Sequence, residues 1–268
     1  MSERVTISIN DGIADVRLNR ADKRNALDNA MFLGLAEAGE RLKTEPGVRV
    51  VVLSGDGASF CAGLDMSSMQ AIGAPKPEGE SNGSPGEMAG DRITHLGQQV
   101  CWVWQEIPVP VIAAVHGHAL GGGLQVALGA DIRIAHPDTK LSVREVYWGL
   151  VPDMTGTFML SKLVRPDVAR ELTYTARIFS GAEGAELGLV TRLSETPYDD
   201  AMETAREIAS KSPGAVRGAK QLFNDLDHEG AADAFAAERR VIGEQIGSAN
   251  QQESVVASFE KRAPVFAD

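Results

Sequence analysis

Three consecutive glycines, Gly121, Gly122 and Gly123, close the stretch His116-Gly-His-Ala-Leu-Gly-Gly-Gly-Leu-Gln125 and constrain this chain more than any other feature. Inside a helix each would cost about 1 kcal/mol relative to alanine. The run therefore belongs at a helix N-terminus, where something must approach bare backbone. Upstream, Phe60-Cys-Ala-Gly-Leu-Asp65 shows the same pattern, an apolar strand that breaks at glycine and continues as a helix. Two such turns brought together would aim two N–H groups at one oxygen. That is the geometry an oxyanion hole requires when a carbonyl becomes an enolate or a tetrahedral intermediate, so catalysis is the first expectation.

The rest of the chain fits a globular enzyme. Its 268 residues can bury a good core, 43% of them are hydrophobic, and no apolar run approaches the length of a membrane span. The opening Met-Ser-Glu-Arg-Val-Thr lacks the charged and then apolar pattern of a secretory leader, which predicts a cytoplasmic protein. With 26 basic against 37 acidic residues the formal charge is −11, and no basic stripe interrupts it. That argues against a nucleic-acid partner, while a few local Arg and Lys residues could still hold an anionic ligand. Cys61 and Cys101 have neither metal-ligand spacing nor partner cysteines, so no disulfide framework and no metal site is expected.

Along the chain, two alternating runs around Asp11-Gly12 read as a β-hairpin, and Asp28 to Leu42 as an amphipathic helix. Val48 to Leu53 is a largely β-branched run in which only Arg49 is polar, the pattern of a strand covered on both faces. Strand, glycine turn and helix return between Val111 and Gly129, and Ile132 to Ala135 follows as a strand. Such repeated units predict stacked sheets with covering helices. Gly73 to Gly90 is too rich in Gly, Pro, Ser and Glu to bury a core, and its place after the first glycine turn suggests the mouth of a site. Beyond residue 165 the reading is helical: Pro166 suits a first turn, Ser180-Gly-Ala-Glu183 a capping box, and Ser212-Pro213 an N-cap with proline at the first helical position.

Four blocks together resemble the crotonase, or enoyl-CoA hydratase/isomerase, superfamily: Asn19-Arg-Ala-Asp-Lys-Arg-Asn-Ala-Leu27; Val50-Val-Val-Leu-Ser-Gly with Phe60-Cys-Ala-Gly-Leu-Asp65; Pro110 through Gly123 to Ala135; and Glu145-Val-Tyr-Trp-Gly-Leu-Val-Pro-Asp153. The resemblance covers nearly the whole chain. It implies an α/β fold, the crotonase-type spiral of stacked ββα units, over residues 1–197, with a C-terminal helical module over 198–268 that covers the active site and joins subunits into a homotrimer or a dimer of trimers. It also implies a substrate, an acyl-CoA thioester, with coenzyme A as part of that substrate, no permanently bound cofactor and a role in fatty-acid metabolism.

Residue by residue, the resemblance places the two oxyanion amides on Leu64 and Gly122. Family hydratases commonly carry two glutamates, one on the helix after the triple glycine and one further on. Here the first position is Gln125, which can orient a water but cannot take its proton. Glu145 matches the second and is the candidate acid/base; the alternative is a surface glutamate near Arg144. Asp153 stands where many hydratases have glycine, and its spacing from Glu145 is similar to that of family members that isomerise dienoyl-CoA with two opposed acids. Capping of a helix starting near Met154-Thr-Gly is the other reading of Asp153. For the cofactor part, the resemblance points to Arg24 as a phosphate partner and to the backbone around Ala26, Ala62, Gly63 and Asp65, with Lys261 and Arg262 as further basic candidates. His116 and His118 flank Gly117 and read first as packed or hydrogen-bonded residues, and Cys61 as a small apolar filler. Hydration, dienoyl isomerisation and acyl-CoA binding without turnover all stay open at this point.

Overall fold

The computed structural model describes residues 4–66 and 92–266. The stretch from Gly73 to Gly90 lies outside the described residues.

The N-terminal hairpin pairs β1 (Val5–Asn10) antiparallel with β2 (Ile13–Leu18). Asp11 and Gly12 take φ of 52° and 80° between them, the two left-handed residues that give a two-residue turn the twist of its strands. Asp28 caps α1 (Asn29–Thr44) by accepting the Met31 N–H at 2.8 Å. In β3 (Val50–Gly55), Val51 and Leu53 enter the main core while Val50 and Val52 enter a second apolar cluster. This is the two-sided burial expected of the apolar run.

Next come α2 (Leu96–Glu106), β4 (Val111–Val115), β5 (His118–Leu120), α3 (Gly122–Leu128), β6 (Ile132–Ala135) and β7 (Lys140–Ser142). A 3-10 turn, Glu145–Trp148, leads to α4 (Gly156–Leu163), α5 (Pro166–Thr175), β8 (Phe179–Ser180), α6 (Gly181–Leu187) and β9 (Arg192–Leu193). Four helices complete the chain: α7 (Pro197–Ala209), α8 (Pro213–Asp227), α9 (Ala231–Gln245) and α10 (Ala249–Glu260). Among the described residues no helix is long and apolar enough to cross a membrane.

Among the described residues two sheets result, one of six strands in the order β1-β2-β3-β4-β6-β9 and one of three in the order β5-β7-β8. Past β2 the large sheet is parallel throughout. The chain leaves it for the small sheet between β4 and β5, where Gly117 has φ 63° and its backbone lies against Ala58 and Ser59. The main core fills one face of the large sheet. On the other, α7 lays Ala201, Ala205 and Ala209 over Ile13, Val50, Val52, Ile112, Ala114 and Ile134, so the first helix after residue 197 belongs to the packing of the sheet. Helix α8 is fastened to the body by Lys220, whose buried ammonium donates to Trp104 O and Val109 O at 3.0 Å and pairs with Asp131 at 2.8 Å. Helices α9 and α10 pack over α4 and the 3-10 turn, the region that carries Glu145 and leads to Asp153.

Candidate active site

The two glycine turns meet backbone to backbone. Cys61 N donates to His118 O at 2.9 Å and Leu120 N to Cys61 O at 3.2 Å, so the first turn joins β5 as one more rung. At this contact a Cβ on Gly63 would stand 2.5 Å from Leu120 O, and one on Gly123 would stand 2.3 Å from Cys61 O. Neither distance is tolerable, which is the physical reason for glycine at both places. The same Cβ on Gly63 would lie 4.0 Å from Gly122 N, so the two turns bring their candidate amides together.

The direction of those amides follows from the pairing. Leu27 N donates to Gly63 O at 2.8 Å and Asp65 N to Leu27 O at 3.0 Å. Groups alternate along an extended segment, so with Gly63 O and Asp65 N facing Leu27, the Leu64 N–H faces the other way. Gly122 is the first residue of α3, where an N–H has no partner within the helix. Among the described residues neither amide is taken up by another backbone carbonyl.

Glu145 is buried at the start of the 3-10 turn. Arg144 does not neutralise it: that guanidinium donates to Ala176 O at 2.7 Å and lies over the Tyr147 ring. One carboxyl oxygen, Oε1, accepts from Gln125 Nε2 at 2.7 Å, and the other, Oε2, is buried without a partner. Burial pushes this carboxyl up to about 7. Asp153 keeps a partly exposed surface, yet loss of solvent, followed by the charges of Glu145 and Glu238, pushes it up to about 8. Two acids therefore stand poised near neutral pH.

Gln125 joins Glu145 to the turn that carries Asp153. Its carbonyl accepts the Met154 N–H at 3.0 Å while its amide donates to Glu145, so both ends are committed to protein groups. Gly156 packs against it so closely that a Cβ there would reach Gln125 Oε1 at 2.3 Å. Capping of α4 does not fall to Asp153. Thr155 is its N-cap residue, with φ 68° and no side-chain cap bond, and the buried Glu238 of α9 supplies the acceptor instead, taking the Thr155 N–H at 3.0 Å and the Thr157 N–H at 3.1 Å. Sequence reasoning missed Glu238. The signal was available: it shares the buried face of α9 with Ala231, Phe235 and Ile242, where a carboxylate is out of place.

The candidate cofactor-binding residues gather on one side of the first turn. Arg24 is exposed, held at φ 50°, and its carbonyl accepts the Ala62 N–H at 2.9 Å. Together with Lys140 it depresses His118, whose pKa is lowered first by burial, which marks a locally cationic spot on an acidic protein. Lys140 was not singled out from the sequence. The Asp65 carboxylate pairs with Arg20 at 2.6 Å, and Arg20 also donates to Ala26 O at 3.1 Å, tying the Asn19 to Leu27 block to the glycine turn.

The remaining candidates are accounted for structurally. Cys61 donates to Asn25 O and burial pushes its thiol up to about 12, far from a nucleophile. His116 bonds to Gly57 O and His118 to the Ser59 hydroxyl. Arg262 is committed to Glu253 and Glu260, while Lys261 closes α10 at φ 54°.

A sequence model of the family described as enoyl-CoA hydratase/isomerase matches residues 8–268. The chain is 33% identical to the peroxisomal Delta(3,5)-Delta(2,4)-dienoyl-CoA isomerase of Arabidopsis thaliana, over 93% of this chain and 91% of that protein. It is 31% identical to the crotonyl-CoA hydratase of Syntrophomonas wolfei, over 98% of both chains. Among solved structures, an enoyl-CoA hydratase/isomerase from Pseudoalteromonas atlantica superposes with a TM-score of 0.86 at 29% identity, over 98% of this chain and 100% of that one.

Proposed function

Because this chain belongs to the enoyl-CoA hydratase/isomerase family, we propose that it isomerises an unsaturated acyl-CoA thioester by proton transfer between Glu145 and Asp153, with the enolate oxygen held by the Leu64 and Gly122 amides. The observation that carries the reading is the state of Gln125. It cannot accept a proton, and both ends of its amide are already bonded to protein. The two groups left to move protons are the Glu145 and Asp153 carboxyls, raised to about 7 and about 8.

The chemistry balances within that pair. One carboxylate takes a proton from the carbon next to the thioester, and the electron pair moves onto the carbonyl oxygen, where two N–H groups stabilise it. The other acid returns a proton further along the chain, so the double bonds shift and no water is added. Near neutral pH, two carboxyls whose charges repel resist ionising together, so the pair has one proton to give and one carboxylate with which to take one. A 3,5-dienoyl-CoA is the substrate class this arrangement suits, and the dienoyl-CoA isomerase named above supports that choice. We place the reaction in fatty-acid metabolism. Hydration is the second reading, supported by the crotonyl-CoA hydratase and by the unpartnered Glu145 Oε2, which could hold a water. The exposed Leu222, Phe223 and Leu226 of α8 support assembly as a homotrimer or a dimer of trimers.

Incubation with crotonyl-CoA, a 3-enoyl-CoA and a 3,5-dienoyl-CoA, followed by product mass and ultraviolet spectra, tests the proposal. The expected result is conversion of the dienoyl ester without mass gain and slow hydration of crotonyl-CoA. Rapid appearance of a product heavier by one water would overturn it. A Gln125→Glu variant sharpens the distinction: its new carboxylate would face Glu145 Oε1 where a donor now sits at 2.7 Å, so dienoyl turnover should fall and crotonyl-CoA hydration should not rise. A hydration mechanism expects a rise from the added base.

Arg24→Ala should raise KM for the CoA ester while kcat stays within about twofold, because a contact remote from the reacting atoms serves ground and transition states alike. A pantetheine thioester, which lacks the nucleotide, should be indifferent to the change. Equal losses on both substrates would remove Arg24 from the phosphate site.

A further inference from the structure

Glu238 does more than fill an odd place on α9. Its four hydrogen bonds converge from three directions: Thr155 N at 3.0 Å and Gln98 Nε2 at 3.1 Å on Oε2, Thr157 N at 3.1 Å and Thr157 Oγ1 at 2.5 Å on Oε1. Burial raises its pKa and these donors oppose the rise. The segment it grips is strained. Thr155 holds φ 68° and ψ 6°, a left-handed conformation that β-branched residues strongly disfavour. Such a turn persists only when its surroundings impose it. Glu238 pulls on the Thr155 N–H from one side, and Gln125 on the neighbouring Met154 N–H from the other.

What this turn aims is the candidate site itself. Asp153 precedes Met154, and the Met154 thioether lies against Gly122, where an added Cβ would stand 2.8 Å from its sulfur. We infer that Glu238 is a positioning residue, which clamps the Asp153-Met154-Thr155 turn against Gly122 and so fixes Asp153 relative to the oxyanion amides. The inference rests on the reading of Glu145 and Asp153 as the proton-transfer pair. Through Glu238 the C-terminal helices take part in catalysis by holding a reacting group in place, because a displacement of about 1 Å in such a group can cost on the order of 10²-fold in rate.

The electrostatic surroundings give a second readout. Asp153 is faced by Glu145 from the 3-10 turn and Glu238 from α9. The Cys101 thiol on α2 feels all three carboxyls and is itself raised far out of the neutral range. On α2, Gln98 bonds Glu238 and receives Arg239 Nη1 at 2.8 Å. Removing the Glu238 charge therefore leaves Asp153 easier to ionise.

In the full-length protein, Glu238→Gln should lower kcat on the dienoyl ester by about 10-fold to 10²-fold, leave KM within about threefold, and move the alkaline limb of the kcat profile to lower pH. Asp153→Asn, measured alongside, separates two failures. Wild-type turnover in Asp153→Asn would sink the proton-transfer reading and this inference with it. An inactive Asp153→Asn beside a Glu238→Gln that loses only thermal stability, with kcat and pH profile unchanged, would leave Glu238 as a helix cap and overturn the inference alone. Should Glu238→Gln fail to fold, Thr157→Val carries the test, since it deletes one donor and adds no polar group. It should lower kcat by roughly threefold to tenfold at constant KM, and an unchanged kcat would overturn the inference.

Discussion

Gly122→Pro should abolish measurable turnover, and Gly122→Ala is the control that says why. Both substitutions bring a Cβ to within 2.8 Å of Met154 Sδ and 3.0 Å of Leu27 Cδ1, an overpacking that costs on the order of 1–3 kcal/mol if the thioether cannot swing aside. Only proline also removes the N–H, and helices tolerate proline at their first residue, where Gly122 stands. The difference between the two variants therefore isolates the amide. Loss of one oxyanion donor typically lowers kcat by about 10² to 10³, so proline should fall below alanine by that factor in proteins of matched circular dichroism and melting temperature. Equal kcat values for the two would take Gly122 out of the oxyanion hole.

Glu145→Gln should separate activity from stability. A glutamine keeps the acceptor that Gln125 Nε2 uses at 2.7 Å and nearly the same volume, so the fold has no reason to change. The group that changes protonation state is gone, and kcat should drop by about 10² to 10⁴ on either a dienoyl or an enoyl substrate. Stability should move the other way, by an amount that grows as pH rises from about 4.5 to about 7. The folded pKa of Glu145 is raised by burial to about 7, above its usual value. Its contribution is therefore full below the ordinary carboxyl value of 4.5, is lost progressively above it and is gone once pH passes about 7, a loss on the order of 3 kcal/mol. The glutamine variant escapes that loss. It should unfold at higher denaturant than wild type at about pH 8 and at a similar concentration at about pH 4. A kcat within a few-fold of wild type would return Glu145 to a structural role, and a pH-independent stability difference would contradict the burial of its charge.

The sequence announced those parts of the fold whose causes are local. Asp11-Gly12 specified its hairpin because few residues accept two successive positive φ values. Val50 to Leu53 declared two-sided burial because its four residues are all apolar. The glycine turns were legible because close backbone approach leaves no room for a Cβ. What stayed hidden depends on partners distant in the chain. Nothing near Gln125 shows that Met154 N–H and Glu145 will occupy both ends of its amide, and nothing near Asp153 shows that its turn is held by Glu238. The resemblance set the residues from 198 apart as a helical module covering the site, and what went unread is that its first helix, α7, lays the small residues Ala201, Ala205 and Ala209 on the far face of the large sheet.

That helix gives the order of the large sheet a consequence for synthesis of the chain. Its strands are added in the order in which they leave the ribosome, β1, β2, β3, β4, β6 and finally β9, so the sheet can grow at one edge during translation. The face bearing Ile13, Val50, Val52, Ile112 and Ala114 is complete well before Ala201 exists to cover it. A nascent chain paused between β6 and α7 presents a broad, greasy β-surface to its surroundings, the kind of surface that recruits chaperones or self-associates. Fragments ending before Pro197 would keep that surface permanently, which makes α7 the point of release from aggregation during biogenesis.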